Sequence, residues 1–439
     1  MRRAVFFAYL TILGLAALCT TRSFAEDWPQ WMGPMRDNVI REEGLLDKFP
    51  KGGPKVLWRA PIANGYAGPA IAKGKVFVTD FVTDANVKVD NFARKAFSGK
   101  ERVICLSEKT GKEIWSHEYA VTTTVSYPAG PRCTPTVDGD KVYTLGAEGN
   151  LFCFNADKGD VIWSIDLKSA YNCKSALWGY ASHPLIDGDK LLCVVGGAGS
   201  QMVAFDKSSG KELWKNLTAK EQGYSPPTII EAQGKRQLIC CCPDAVTSLN
   251  VETGEELWTT KYEATNGSII MSPLKVGEYL FIGGYSDKNL MLKLLADKPG
   301  VEVVFKDKVK VGVAPINVQP IVDKGTVYGF DQSGELMAVE IPSGKRLWST
   351  PKPVGEKKQG SGTAFINKSG DRYFFFNENG ELVIGTMDTS GYKEVDRAQV
   401  IEPTNNAFGR PVVWCAPAYA NKHMYVRNDS EIICVDLAK

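Results

Sequence analysis

An all-β fold, an eight-bladed β-propeller with four antiparallel strands per blade, is what this 439-residue chain predicts. Three observations carry the prediction. A short phrase ending in Trp returns at intervals through most of the chain. Apolar runs of strand length alternate with Gly-bearing turns. Prolines that open all but one of these units recur at a matching spacing.

The first full copy of the phrase runs Cys105-Leu106-Ser107-Glu108-Lys109-Thr110-Gly111-Lys112-Glu113-Ile114-Trp115. It returns at Cys153 to Trp163, Ala204 to Trp214, Ser248 to Trp258 and Ala338 to Trp348, and Val56-Leu57-Trp58 adds a truncated copy. Successive Trp gaps are 57, 48, 51, 44 and 90 residues, the last being two periods with a degenerate copy between them. A period of this size built from short strands and turns marks a propeller or a related array. Trp58, Trp115, Trp163, Trp214, Trp258 and Trp348 therefore read as structural. One large ring per blade fills the wedge between neighbouring sheets, burying roughly 150 to 250 Å².

Units open with an apolar pair after Pro at several places, as in Pro69-Ala70-Ile71, Pro135-Thr136-Val137 and Pro184-Leu185-Ile186. A tight turn follows, such as Asp138-Gly139-Asp140 or Asp187-Gly188-Asp189, and then a second strand such as Lys141-Val142-Tyr143. Gly-bearing turns between apolar runs are hairpin chemistry. The third strand carries the small residue of the phrase and the fourth carries the Trp. Blade starts fall near Pro69, Pro135, Pro184, Pro227, Pro273, Pro320, Thr363 and Pro417, with Phe305 and the stretch near Asp396 at degenerate Trp positions. The last unit ends after three strands at Cys434-Val435-Asp436-Leu437, so Val56-Leu57-Trp58 is expected to supply its fourth. Closing the ring with strands from both termini leaves no open sheet edge. Residues 26–55 are then an N-terminal extension and residues 56–439 one propeller.

The first 25 residues read as a cleaved signal peptide: Arg2 and Arg3, an apolar run from Ala4 to Leu18, and Ser23-Phe24-Ala25 before the expected cut near Ala25. The apolar run is too short for a spanning helix, and bulky Leu18 before Cys19 argues against a lipoprotein site. Export to the periplasm or cell envelope is the expectation. The leader takes three of 52 basic residues and none of the 50 acidic ones, leaving the charge near zero. That excludes the strong positive field needed for nucleic acid or an anionic membrane surface. The basic stretch from Lys88 to Arg102 reads as a solvated loop.

Ten of the eleven cysteines follow the leader. Cys105, Cys153 and Cys434 fill the slot held elsewhere by Ala204, Ser248 and Ala338, as small core residues. Cys133 and Cys415 share a slot with Ala67, Ser182 and Ser225. Cys240-Cys241-Cys242 admits a vicinal disulfide, but neighbours on a strand point to opposite faces, which favours buried thiols. No paired Cys or His spacing of the zinc type occurs, and the three His fall in different blades.

Function is sought where each first strand is entered. Residues one and three before the opening Pro share a strand face and read Tyr66, Arg132, His183, Tyr224, Ser272, Asn317, Gln319 and Trp414, with Trp178, Tyr180 and Arg410 just upstream. Either these groups converge on a ligand at the channel mouth, or they satisfy one another and ordered water along the channel. The loop from Asp80 to Glu101, the longest insertion, falls on the same face as a lid or a loose flap.

The recurring phrase resembles that of pyrroloquinoline-quinone (PQQ)-type propellers, the quinoprotein alcohol dehydrogenase-like superfamily, over nearly all of the chain from Trp28 to Leu437. The segment Asp27-Trp28-Pro29-Gln30-Trp31-Met32-Gly33-Pro34 and the later Gly53-Pro54-Lys55-Val56-Leu57-Trp58 look like exported PQQ-like repeat proteins. Those are similar to the propeller subunit of the outer-membrane β-barrel assembly machinery. Two functions of different class are expected, the first from the regular repeat, the near-neutral charge and the absence of a catalytic set, the second from the resemblance and the polar-aromatic mouth. One is a non-catalytic, monomeric binding scaffold presenting its mouth to a protein partner or small ligand. The other is a dehydrogenase of alcohols or sugars carrying PQQ on calcium, for which no calcium-ligand set is matched in this chain. A third reading, polysaccharide binding or cleavage, rests on Trp178, Tyr180, Tyr224 and Trp414, since aromatic faces suit sugars.

Overall fold

The computed structural model describes residues 26–87 and 92–439. The expected leader and Lys88 of the basic stretch lie outside the described residues. Eight four-stranded antiparallel sheets follow one another in chain order, and a short hairpin (Asn405–Ala407 with Arg410–Val412) precedes the last. The first blade shows the plan, with strands Ala70–Ala72, Lys75–Val82, Phe97–Ser107 and Glu113–Thr123 paired in sequence order. Its first strand lies beside the first strands of the second and eighth blades, so these line the axis and the Trp-bearing fourth strands form the rim.

The eighth blade is closed as the sequence predicts. Strands Ala418–Ala420, His423–Arg427 and Glu431–Asp436 are completed by Val56–Pro61 from the other end of the chain. Trp58 sits opposite Cys434 and Ala60 opposite Ile432, and the Asp436 N–H donates to the Lys55 carbonyl at 2.8 Å.

Every blade carries a bulge between its third and fourth strands at the phrase's last step, for example between Cys153 and Phe154 opposite Trp163. The same irregularity recurs at Trp115, Trp214, Trp258, Trp348 and Trp58, and at Phe305 and Asp396 where the Trp is absent. A bulge re-aims one side chain, and here it turns the indole onto the next blade. Trp58 Nε1 donates to the Glu108 carbonyl, Trp115 to Ala156, Trp163 to Lys207, Trp214 to Val251 and Trp348 to Asp388, at 2.8–3.2 Å. Trp258 differs and bonds Gln237 Oε1 within its own blade.

The phrase's Gly completes the joint. A Cβ on Gly159, at φ +77°, would stand 2.6 Å from the Trp115 ring, and one on Gly210 would stand 2.7 Å from Trp163. The glycine thus serves both a left-handed turn and a close approach. The apolar core lies between blades: Leu151, Cys153 and Leu145 of the second pack with Leu191, Cys193 and Phe205 of the third. In the fourth blade Cys240 and Cys241 enter separate clusters on opposite faces of one strand.

The insertion in the first blade is narrower than Asp80 to Glu101. Strand pairing runs through both residues, with one strand reaching Val82 and the next beginning at Phe97. Both carboxylates are buried in structural bonds: Asp80 accepts from the Ala63 N–H at 2.6 Å, and Glu101 from Tyr119 and the Ala147 N–H.

The N-terminal extension has a defined course that the repeat did not reveal. Trp28 pairs with Ile71 of the first blade, the Pro29 carbonyl accepts from Val137 of the second, and Val39 pairs with Lys368 of the seventh. Arg36 donates to the Pro184 and His183 carbonyls of the third. The segment therefore spans the ring on the side of the first tight turns, where Lys73 N–H meets Asp27.

Candidate functional site

At the axis the entering segments enclose a cavity of about 320 Å³. Its floor is the extension, through Trp31, Met32 and Asn38. Its walls are the entering residues, and its rim on the opposite face carries Phe92, Tyr285 and Phe408, all well exposed. Because the extension occupies one end, the channel is a pocket rather than a through-passage.

Of the residues the sequence singles out, Tyr66, Arg132, Trp178, His183, Tyr224, Asn317, Gln319 and Trp414 line this cavity. Their chemistry is uneven. The Arg132 guanidinium lies over the Tyr66 ring at 5.2 Å, and Nη1 and Nη2 donate to the Gly130, Ser126 and Tyr127 carbonyls at 2.5–2.7 Å. His183 Nδ1 accepts from the Thr134 N–H at 3.1 Å, and its ring stacks on Trp31 at 4.5 Å. Burial, with Arg36 nearby, holds its pKa well below the usual imidazole range, so it is neutral. Gln319 exchanges two bonds with the Ser272 backbone, at 2.8 and 3.0 Å, and so joins the fifth and sixth blades. Tyr224 accepts from the Trp178 N–H at 3.2 Å with the two rings 5.2 Å apart, and burial raises its pKa. Trp414 spends its indole N–H on Glu378 at 3.0 Å.

Three sequence-derived candidates fall elsewhere: Tyr180, Arg410, and Ser272, whose backbone is bonded by Gln319 and whose hydroxyl donates to the Pro226 carbonyl at 3.3 Å. Tyr180 is core: it is 3% exposed, its hydroxyl donates to the Val195 carbonyl at 2.9 Å, and its ring packs on Gly149. A position two residues from a wall residue was turned away by the left-handed backbone at Gly179, φ +70°. Arg410 is not in the lining. It pairs with buried Glu378, Nε to Oε1 at 2.8 Å, and lies over Phe408 at 5.6 Å.

Three buried polar atoms of lining residues have no hydrogen-bond partner among the described residues: Trp178 Nε1, Asn317 Oδ1 and Asn367 Oδ1. Asn367 is 2% exposed and lies on the first strand of the seventh blade, which opens at Thr363 and has no Pro to mark its entry. Sequence reasoning therefore passed over it, and it likewise passed over Trp31 and Asn38, whose contacts to the blades span more than a hundred residues.

PQQ on calcium asks for a different donor set. Among the described lining residues none is Asp or Glu, whereas calcium takes six to eight oxygen ligands, with carboxylates prominent. The quinone's carboxylates would need cations, and the one lining guanidinium is already engaged by three carbonyls. Nor is any group of three His, Cys, Asp or Glu placed to hold a metal ion among the described residues. The residues present do not fit this group. Among the described residues no helix is long and apolar enough to cross a membrane.

Comparison with known proteins agrees with the architecture. The BamB of Moranella endobia, an outer membrane protein assembly factor, is 24% identical over 230 residues, 49% of this chain and 56% of that relative's length. The crystal structure of BamB from Moraxella catarrhalis superposes with a TM-score of 0.53 at 14% identity, covering 86% of this chain and 97% of that one. The quinohemoprotein alcohol dehydrogenase from Comamonas testosteroni gives 0.60 at 12% identity, covering 94% and 81%. At these identities the solved structures establish the fold alone. The family model described as outer membrane protein assembly factor BamB matches residues 99–287 and 243–439, and the chain belongs to that family.

Proposed function

We propose that this protein is an exported, non-catalytic propeller that serves as a binding scaffold in the cell envelope, engaging a protein partner as its assembly-factor relatives are named for doing. The observation that carries the reading is the cavity's chemistry. Among the described lining residues none is a carboxylate, its histidine is neutral with Nδ1 engaged, and its guanidinium gives three hydrogen bonds to backbone carbonyls. General acid–base or hydride chemistry needs a poised group or a bound cofactor at such a place. A rigid ring with an aromatic mouth instead suits recognition. Family membership supports the partner class.

The test is to incubate the purified protein with PQQ and calcium, then gel-filter and assay dye reduction with alcohols and aldoses. No quinone absorbance is expected to travel with the protein, and no dye to be reduced. Retained, redox-active quinone would establish the dehydrogenase reading instead. Depletion in the source cell is expected to lower folded outer-membrane β-barrel proteins, and unchanged levels would remove the assembly partner from the proposal.

A further inference from the structure

We infer that the axial cavity binds the end of a neutral saccharide, at a site formed by Trp178, Tyr224, Trp414, Asn317 and Asn367. The inference rests on reading the cavity as a non-catalytic binding site and adds the ligand class. Three features select it.

The first is unmet hydrogen bonding. One donor, Trp178 Nε1, and two acceptors, Asn317 Oδ1 and Asn367 Oδ1, belong to residues that line the cavity and are buried with no partner among the described residues. A buried polar atom without a partner is costly, so the cavity is complementary to something that both accepts and donates. Hydroxyl groups do both. The second is charge. Among the described lining residues no carboxylate awaits a cation, and Arg132 turns both terminal nitrogens onto backbone carbonyls, so neither sign of charge meets an open side-chain partner and desolvating an ion would be opposed. The third is ring geometry. Trp178 and Tyr224 are inclined by 51°, and Tyr127 and Trp414 by 38°. They offer aromatic faces singly, as the C–H faces of a pyranose require, rather than as a parallel clamp for a flat heteroaromatic. The size agrees: about 320 Å³ is at the lower end of small-molecule sites, roughly 300 to 1,000 Å³. The floor at Trp31 makes this a terminus-binding site rather than a groove for a running polymer.

The test is titration of the purified protein with cellobiose, maltose and diacetylchitobiose, with glucuronic acid as the charged probe and adenosine as the planar one. Calorimetry and Trp fluorescence read binding. At least one neutral disaccharide is expected to saturate, with glucuronic acid and adenosine weaker. Trp178→Phe keeps a ring and removes the donor, and Asn317→Ala removes an acceptor. Each is expected to weaken that sugar about tenfold while leaving the circular dichroism and the unliganded Tm unchanged. Three results would each overturn the inference: no saturation by any neutral sugar at millimolar concentration, sugar binding indifferent to both variants, or adenosine preferred. If a variant misfolds, the ranking of the probes on the wild type still decides. Retained quinone defeats the non-catalytic reading itself, whereas an adenosine-preferring protein without quinone defeats only this inference.

Discussion

Arg132 shows how a residue's environment reassigns it. Its place before a blade-opening Pro marks it for the channel mouth, and its guanidinium holds together the loop from Ser126 to Gly130 through three carbonyls. Removing it leaves buried acceptors unpaired, so Arg132→Ala is expected to lose about 2 kcal/mol or more, read from urea unfolding. A Tm equal to wild type would return it to the ligand site. Glu101 makes a second case. Burial pushes its carboxyl up to about 7 from 4.5, against the Tyr119 hydroxyl and the Ala147 N–H, which favour ionisation. A raised folded pKa means its contribution is full below pH 4.5 and is lost as pH rises through 7. Wild type should therefore lose stability relative to Glu101→Gln between those values, by about 3 kcal/mol if the whole shift is expressed. Parallel Tm–pH curves for the two proteins would contradict it.

Between neighbouring blades the unit of cohesion is a joint: bulge, indole, carbonyl and glycine. The sequence made its parts legible because they lie within one phrase of eleven residues, and the period places one phrase per blade. What it could not show is direction. The ring meets the next blade's phrase, so Trp163 is completed by Lys207 and Gly210, some 44 residues on. The same distance effect hid the cavity's floor, since Trp31 and Arg36 meet His183 only once the ring has formed. Entering residues were legible by their period of two, but whether each was free or committed depended on loops no period describes. Trp163→Ala should cost about 3 to 5 kcal/mol, the usual loss for a large buried aromatic. Gly159→Ala touches no polar group, yet should cost about 2 kcal/mol or more, because φ is +77° and the new methyl meets the Trp115 ring. Denaturant midpoints near wild type for either would show that the joints do not hold the blades.

For the whole molecule, cohesion depends on the ring being shut. Seven blades are each continuous in sequence, and only the eighth joins the two ends, through Val56–Pro61 against Glu431–Asp436. Its joint is assembled from both ends too: Trp58 comes from the front of the chain, and its neighbour Tyr425, with rings 6.0 Å apart, from the back. A chain starting at Ile62 loses that strand, the Trp58 joint to the first blade and the extension that crosses the axis. The edge at Glu431–Asp436 is then unpaired, which invites association with another chain. Such a truncation is expected to lower the Tm and to self-associate in light scattering. Because a strand binds by backbone pairing rather than by covalent continuity, a synthetic peptide spanning residues 26–61 is expected to reverse the added association and to restore most of the Tm. A truncated protein that stays monomeric with an unchanged Tm would mean that the joints of the other seven blades suffice to hold the circle.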